Sequence, residues 1–215
     1  MHDADDPGVV LREAFDRACD EIGARIDGRA AILDELLTRL AEPHRRYHDA
    51  HHVAACVTMA HAHAAHARHA HDVTLALLFH DAIYDPRAHD NEARSAELAE
   101  RALGALDASD ETRARVRHLV MATAGHDARF DRDAELVLDC DLAILGADPE
   151  TFSRFEAQIR EEYAFVPDDA YRVGRARVLA SFAVRTSIYA VPAIAREREA
   201  RARVNLRDAI ARLAP

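Results

Sequence analysis

The sequence predicts an all-α protein, and three observations support that prediction. Glycine and proline, the residues that interrupt helices, occur only seven times each in 215 residues. No segment alternates apolar and polar residues as a half-buried strand does. Hydrophobic residues make up 49% of the chain and charged residues 31%, a balance typical of a folded globular protein.

The apolar spacing predicts ten helices, and proline, aspartate and glycine mark several of their ends. Asp148 before Pro149 is typical of a helix start, Pro167 opens the next helix, and Gly125 indicates a helix stop. No linker rich in Gly, Ser or Pro separates two halves, so we expect a single domain over residues 1–215. The predicted helices cover residues 8–26, 29–41, 49–70, 72–81, 90–105, 110–124, 132–145, 149–163, 168–185 and 196–213.

The charge balance and the cysteines exclude several classes of protein. With 28 basic and 38 acidic residues the net charge is -10, which argues against a nucleic-acid polymer or an anionic membrane as a partner. Three scattered cysteines form no disulfide framework, which fits a reducing compartment. The acidic first residues do not resemble a signal peptide, and no apolar run approaches the roughly 20 residues of a membrane span. We therefore expect a soluble cytoplasmic protein.

Histidine is the unusual residue, because ten of the 14 histidines fall between His44 and His80. His48 and His52 are four residues apart, so on a helix that begins near them they share one face. Two imidazoles at that spacing can bind one metal ion, or one can bind the ion while the other donates a proton. The alternative is a chance pair within a histidine-rich stretch.

A second motif joins a buried helix to two polar residues. Residues 75–79 are five consecutive apolar residues that lead directly into His80 and Asp81. Such a helix is apolar all round, so its end is expected in the interior. A carboxylate buried beside an imidazole needs compensation, which a metal ion supplies. The alternative is a His–Asp ion pair in the core.

A third motif places two aspartates on one predicted helix. Asp139 and Asp141 lie about 200° apart around a helix, so both cannot face one site. Asp141 has four apolar neighbours at helical spacing, which makes it our choice for the inward carboxylate. Asp139 has more mixed neighbours, which is typical of a supporting or surface position. The neighbours of Asp141 are Val137, Leu138, Ile144 and Leu145.

Histidine, His-Asp and aspartate in this order on helices resemble the HD superfamily of metal-dependent phosphohydrolases. Tyr47-His48 with His52 is similar to the opening motif of the cyclic-nucleotide phosphodiesterases, distant members of that superfamily. The resemblance extends from about His44 to the C-terminal helix. Four further segments closely resemble a bacterial group of HD phosphohydrolases: FHDAIYDP at 79–86, DNE at 90–92 with SA at 95–96, DLAILG at 141–146 and EYAFVP at 162–167.

The resemblance implies a single HD-type helical bundle whose metal ligands are His52, His80, Asp81 and Asp141. It matches His48 to the histidine that protonates the leaving oxygen in the phosphodiesterases. A metal-activated water would then attack phosphorus, with Asp81 or Glu92 accepting its proton. Glu92 has support of a helix N-terminus as its alternative role. Manganese, iron, cobalt, nickel, zinc and magnesium are all compatible with two imidazoles and two carboxylates.

Arginines near these motifs are candidate substrate ligands. Arg45, Arg46 and Arg87 flank the proposed site and could bind phosphate through two parallel hydrogen bonds, with a solvated salt bridge as the alternative for each. Arg172 and Arg175 share a helical face and are further candidates. The expected activity is hydrolysis of a phosphate ester of a small molecule, a nucleotide by analogy, with monoester and diester both open. A homodimer is compatible with such a domain.

Two other functions stay open at this point. One is a non-catalytic, metal-containing domain that binds a nucleotide for regulation. The other is a mixed-valent di-iron oxygenase, which needs additional histidine ligands; His118 and His126 are the candidates, and for His126 a surface position after a helix stop is the alternative. The remaining histidines at 61, 63, 66, 69 and 71 point in nearly every direction around a helix, so we expect them to be solvated rather than ligands.

Overall fold

The computed structural model describes residues 6–126, 128 and 131–214. These residues are 72% helical and form no strand, which confirms the all-α prediction. Each helix overlaps its predicted counterpart. The helices are α1 Pro7–Glu21, α2 Arg29–Leu40, α3 Ala50–Ala62, α4 Ala70–Phe79, α5 Asn91–Ala105, α6 Asp110–Thr123, α7 Arg132–Asp141, α8 Pro149–Glu162, α9 Asp168–Ala183 and α10 Pro192–Leu213, with short 3-10 helices at Ala64–His66 and Leu142–Gly146.

The chain divides into two compact units, Met1–Cys140 and Asp141–Pro215. The boundary falls within the last turn of α7 and not in a linker. The prediction of a single domain stays a prediction. Within the described residues, no helix combines the length and the apolar character that crossing a membrane requires.

Helix α4 is the centre of the first unit. Its residues 73–79 are all buried, and it packs against α1, α3, α5 and α6. Phe79 meets Phe15 of α1 edge to face, with ring centroids 6.4 Å apart. Burial of each large apolar side chain contributes on the order of 2 kcal/mol, so the end of α4 is held firmly in the interior. That end delivers His80 and Asp81.

The turn before α4 is anchored by a single carboxylate on α7. Oδ1 of Asp133 accepts hydrogen bonds from the backbone N–H groups of Arg68, at 2.6 Å, and His69, at 3.2 Å. Oδ2 of Asp133 lies 2.8 Å from Nδ1 of His69. Burial opposes ionisation of Asp133, but these hydrogen bonds prevail and hold the pKa of its carboxyl below the usual range. Asp133 therefore anchors the backbone just before α4, whose N-cap residue, His69, makes no side-chain capping hydrogen bond.

Several histidines that we expected to be solvated have acidic partners instead. Nε2 of His66 lies 2.9 Å from a carboxylate oxygen of Glu135, and both side chains are largely buried. His71 lies 3.7 Å from Glu21. The expectation of a solvated histidine was wrong for His66, because packing of the turn against α7 supplies a partner that is remote in sequence. The side chain of His71 is about half exposed and stays accessible to solvent.

Helix α10 organises the second unit. It packs on α9 and on the 3-10 helix at Leu142–Gly146, and its side chains donate to carbonyl groups at the end of that 3-10 helix. Nδ2 of Asn205 donates to the carbonyls of Leu145 and Ala147, both at 2.9 Å, and Nε of Arg201 donates to that of Gly146 at 3.0 Å. A Cβ at Gly146 would lie 2.6 Å from Cβ of Arg198, so only glycine permits this approach.

Candidate metal centre

His80 directly follows the last residue of α4, and its ring orientation is fixed by one hydrogen bond. Its Nδ1 lies 2.7 Å from the carbonyl oxygen of Leu77, one turn back in the same helix. Because a carbonyl only accepts, Nδ1 carries a proton, and Nε2 is the ring nitrogen that would meet a metal ion. A histidine that binds a metal ion through Nε2 needs its proton on Nδ1.

His52 and Asp81 bring two further ligand atoms to the same point. Nε2 of His52 lies 3.3 Å from Nε2 of His80. Oδ2 of Asp81 lies 3.1 Å from Nε2 of His80 and 3.6 Å from Nε2 of His52. The side chains of His52, His80 and Asp81 are 3%, 1% and 16% exposed, so the triangle is nearly closed to solvent.

The size of this triangle suits one metal ion. Ligands at about 2.1 Å from a shared ion are about 3.0 Å apart at an octahedral right angle and about 3.4 Å apart at a tetrahedral angle. The observed separations of 3.1, 3.3 and 3.6 Å are close to these values. His52, His80 and Asp81 therefore form a group that could hold a metal ion. A protonated imidazole could neutralise Asp81 instead, which is the ion-pair alternative.

Asp81 is kept ionised by its neighbours. Burial by itself raises the pKa of the Asp81 carboxyl, but the imidazoles of His80, His48 and His52 outweigh that effect and hold this pKa well below its usual range. A carboxylate that stays ionised at neutral pH is ready to bind a cation without first losing a proton.

His48 lies beside the triangle and is held by aromatic packing. Its ring stacks on Tyr84, with centroids 4.3 Å apart, and meets His52 edge to face at 5.8 Å. The ring of Tyr47, the residue before His48, also packs against His52, with centroids 4.6 Å apart. The carbonyl oxygen of Tyr84 accepts a hydrogen bond from Nε2 of His44 at 2.6 Å. This bond holds Tyr84, the residue on which His48 stacks, in place. The sequence identified His48 but not the supporting role of Tyr84.

Arg45 is buried, and its guanidinium connects the two histidine motifs. Nη1 donates to the carbonyls of His48, at 2.9 Å, and Asp81, at 2.7 Å. Nη2 donates to the carbonyl of Ala82 at 3.1 Å, and Nε donates to a carboxylate oxygen of Glu42 at 3.2 Å. Its side chain is only 1% exposed. These bonds join the segment before α3 to the turn after α4, and they favour a positioning role for Arg45 over contact with phosphate.

The other two candidate arginines are exposed. Nη1 of Arg46 donates to the carbonyl of Pro43 at 2.8 Å and to that of Arg45 at 3.0 Å. Arg87 lies in the loop after the His-Asp motif, where its backbone N–H donates to Oδ1 of Asp85 at 2.9 Å. Both guanidinium groups are therefore accessible from solvent, as a substrate ligand must be.

Glu92 lies half-buried in the first turn of α5. Its carboxylate makes no hydrogen bond or ion pair with any residue that the structure describes. The start of α5 is tied to the loop after the His-Asp motif: Oγ of Ser95 accepts from the N–H of Ile83 at 2.9 Å, and Nδ2 of Asn91 donates to the carbonyl of Asp85 at 2.9 Å. Glu92 thus belongs to the same local framework as the motif, with a carboxylate available for other partners.

The two aspartates of the third motif are placed differently from expectation. Asp139 is buried, with 2% exposure, whereas Asp141 is half-buried and is the first residue of the second unit. The expected order of burial was wrong, because α7 is covered on nearly all sides and helical neighbours do not distinguish its faces. The role of Asp141 as a metal ligand stays a prediction.

Cys56 is a neighbour of the site that the sequence did not indicate. It lies one turn after His52, and its Sγ is 3.8 Å from Nδ1 of that histidine. The thiol donates to the carbonyl of Cys140 at 3.5 Å, which ties α3 to α7 within the first unit. The spacing of four residues from His52 was the available signal.

The additional histidines considered for a second metal are not members of this triangle. His118 pairs with Asp131 at 3.2 Å, and both side chains are substantially exposed. His126 follows α6 in a turn with a positive φ of 47°. Neither belongs to a group of converging ligand atoms among the described residues.

Comparison of the chain with models of protein families, with curated proteins and with solved structures gives no match. The resemblance to HD phosphohydrolases therefore depends on the sequence motifs alone.

Proposed function

We propose that this protein is a metal-dependent phosphohydrolase that acts on a phosphate ester of a small molecule, with nucleotides as the preferred class. The observation that carries the proposal is the triangle of Nε2 of His52, Nε2 of His80 and Oδ2 of Asp81. The motif resemblance adds the reaction class and the nucleotide preference. We assign Asp141 as a fourth ligand from the motif resemblance alone.

A divalent ion held by these residues would lower the pKa of a bound water and polarise a phosphoryl oxygen. Manganese, iron, cobalt, nickel, zinc and magnesium all accept this mixture of nitrogen and oxygen donors. The protein contributes the carboxylate of Asp81 and Nε2 of His80, whose ring orientation is already fixed by the carbonyl of Leu77. Few changes of side-chain geometry are then needed on binding.

Two side chains are assigned to proton transfer. His48 donates a proton to the leaving oxygen, and its stacking on Tyr84 orients the ring for that task. Glu92 accepts the proton of the attacking water, because its carboxylate has no partner among the described residues and lies in the framework of the His-Asp motif. Asp81 is the alternative acceptor.

The phosphate contacts are assigned to Arg46 and Arg87, whose guanidinium groups are exposed. Arg45 is assigned to positioning instead, since its guanidinium already bonds to His48, Asp81 and Ala82. This narrows the set of three arginines that flank the histidine and His-Asp motifs in the sequence.

Metal content of the purified protein tests the ligand assignment. We expect wild type to retain a stoichiometric ion that chelator removes, and His80→Ala and Asp81→Ala to lose it. His51→Ala is the matched control, because His51 adjoins His52 but its side chain is 78% exposed. Equal retention of metal by all four proteins would contradict the assignment of His80 and Asp81 as ligands.

A substrate panel then tests the reaction. Nucleoside monophosphates, cyclic nucleotides and simple phosphate esters are offered with added manganese, cobalt or nickel, and phosphate release or ester cleavage is measured. Turnover that His80→Ala abolishes supports the hydrolase. Nucleotide binding without turnover would instead favour the regulatory domain.

A further inference from the structure

A groove with a volume of about 280 Å³ lies within the second unit, between α8, α9 and the C-terminal end of α10. Its lining includes Arg160, Tyr171, Arg172 and Arg212, so three helices each contribute an arginine. Pockets for small molecules usually measure about 300 to 1,000 Å³, which makes this one suitable for a small ligand. None of its residues belongs to the candidate metal centre.

Arg160 is held in place mainly by two carbonyl groups and an aromatic ring, with the exposed carboxylate of Asp168 as a more distant ionic partner. Its Nη1 donates to the carbonyl of Tyr163 at 2.8 Å, and its Nη2 donates to that of Val166 at 3.2 Å. The guanidinium also covers the ring of Tyr171, with Cζ 4.5 Å from the centroid. Carbonyl groups and an aromatic face orient the cation without cancelling its charge.

Arg172 is also oriented by backbone carbonyl groups, whereas Arg212 is not. Nη2 of Arg172 donates to the carbonyls of Arg212, at 3.1 Å, and Ala214, at 2.7 Å. The exposed side chain of Arg212 has no hydrogen bond, ion pair or ring contact within the described part of the chain. The hydroxyl of Tyr171 likewise has no hydrogen-bond partner there, although its ring is buried.

Two acidic residues, Glu156 and Asp168, also line the groove. Asp168 pairs with Arg160 at 3.5 Å, but its side chain is exposed. Glu156 pairs with Arg175, which does not line the groove. Three arginines against two acidic residues leave the lining with an excess of one positive charge, in a chain whose net charge is -10.

We propose that this groove binds a small phosphate-bearing anion. Arg160 and Arg172 are oriented before binding, and both keep N–H groups for a ligand beyond the carbonyls they already serve. Arg212 closes on the anion, and the free hydroxyl of Tyr171 donates a further hydrogen bond. A guanidinium fork matches the oxygens of phosphate, which favours phosphate over a spherical anion such as chloride.

Calorimetric titration with inorganic phosphate and with pyrophosphate, at constant ionic strength in chloride, tests this site. We expect wild type to bind one of these anions and Arg212→Gln to bind it about tenfold more weakly or worse, because a charged hydrogen-bond donor is lost. Arg212→Gln should fold normally, since the side chain has no partner among the residues that the structure describes. Arg207→Gln is the matched control: Arg207 is exposed on the same helix and pairs with the adjacent Asp208.

His80→Ala separates this site from binding at the metal centre. Retention of anion binding in His80→Ala and Arg207→Gln, with loss in Arg212→Gln, supports the groove. Affinity that is unchanged in Arg212→Gln, or equal for phosphate and chloride, would mean an adventitious ion only and would overturn the proposal. The absence of binding in wild type, or its loss in His80→Ala with retention in Arg212→Gln, would overturn it as well.

Discussion

Two regions of the first unit use histidine in opposite ways. Near the end of α4, His52 and His80 converge on the single carboxylate of Asp81, and their Nε2 atoms are 3.3 Å apart. In and around the turn between α3 and α4, His66 and His69 each face a different carboxylate of α7. One acid shared by two imidazoles has room for a cation, whereas one acid for each imidazole is already satisfied. Convergence, and not histidine density, is therefore the property that indicates a metal site.

The largest expected effect concerns the histidine that lies beside the triangle without belonging to it. His48→Ala should retain the metal ion but lower the turnover rate by a factor of about 10² to 10⁴, the usual contribution of general acid catalysis. Metal analysis and steady-state kinetics on one preparation measure both quantities. Turnover at the wild-type rate would remove His48 from the mechanism. Loss of the ion would assign it to the ligands instead.

A smaller effect is expected from the arginine that joins the two halves of the site. Arg45→Lys keeps the positive charge but cannot reach the carbonyls of His48, Asp81 and Ala82 together. Loss of such a supporting contact typically weakens metal affinity about 10- to 100-fold. Competition with a chelator for cobalt measures the affinity, and the visible spectrum of the cobalt protein reports a change of geometry.

Arg46→Lys is the control for that comparison, because Arg46 is adjacent and exposed. We expect its cobalt affinity and spectrum to match those of wild type. Identical behaviour of Arg45→Lys and Arg46→Lys would contradict the positioning role.

Substitutions among the histidine–carboxylate pairs of the turn before α4 should change the stability of the protein and not its metal content. Asp133→Asn removes the charge that faces His69 and should lower the free energy of unfolding by about 1 to 3 kcal/mol at neutral pH. Chemical denaturation measures this loss. Bound metal should stay unchanged, and a metal-depleted variant would show that the two regions are coupled.

The same residue predicts a pH dependence. Because the pKa of Asp133 is lowered in the folded state, its stabilising contribution is complete above the unfolded value of about 4. The contribution is lost as the pH falls through the lower folded value. The difference in unfolding free energy between wild type and Asp133→Asn should therefore be constant at neutral pH and shrink in acid. A difference that grows in acid would contradict the role of the carboxylate.

The smallest expected effect belongs to His71. Its pair with Glu21 spans 3.7 Å, and both side chains are about half exposed. Such pairs contribute between about 0 and 1 kcal/mol, so His71→Ala should change neither stability nor metal content appreciably. Denaturation and metal analysis, run beside His80→Ala, complete the contrast between the two regions.

The helices were predictable because their signals are local. Apolar spacing and the caps at Asp148 and Pro149 depend on residues within a few positions of one another, and the structure places α8 at Pro149–Glu162 as expected. The ends of helices were less predictable. Helix α3 ends at Ala62 and not near residue 70, because Asp133 of α7 holds the backbone of the turn that follows.

The candidate site was predictable as a set of residue types but not as a set of contacts. His52, His80 and Asp81 were identified from their motifs, and the structure brings their ligand atoms together. Arg45 was identified as a charge, yet its role depends on the carbonyls that it meets, which no sequence pattern encodes. The burial of Asp139 was missed for the same reason, since α7 is enclosed by neighbours that are distant along the chain.

The sequence by itself determined the all-α class, the order of the helices and the residues that can bind a metal ion, because periodicity and residue chemistry are properties of short segments. Only the tertiary structure decided which histidines converge. His52 and His80 are 28 positions apart, and their Nε2 atoms meet because α3 and α4 pack against each other. His66 and His69 instead meet carboxylates of α7, because the turn that carries them packs against that helix. This difference in partners separates the candidate metal centre from a structural anchor.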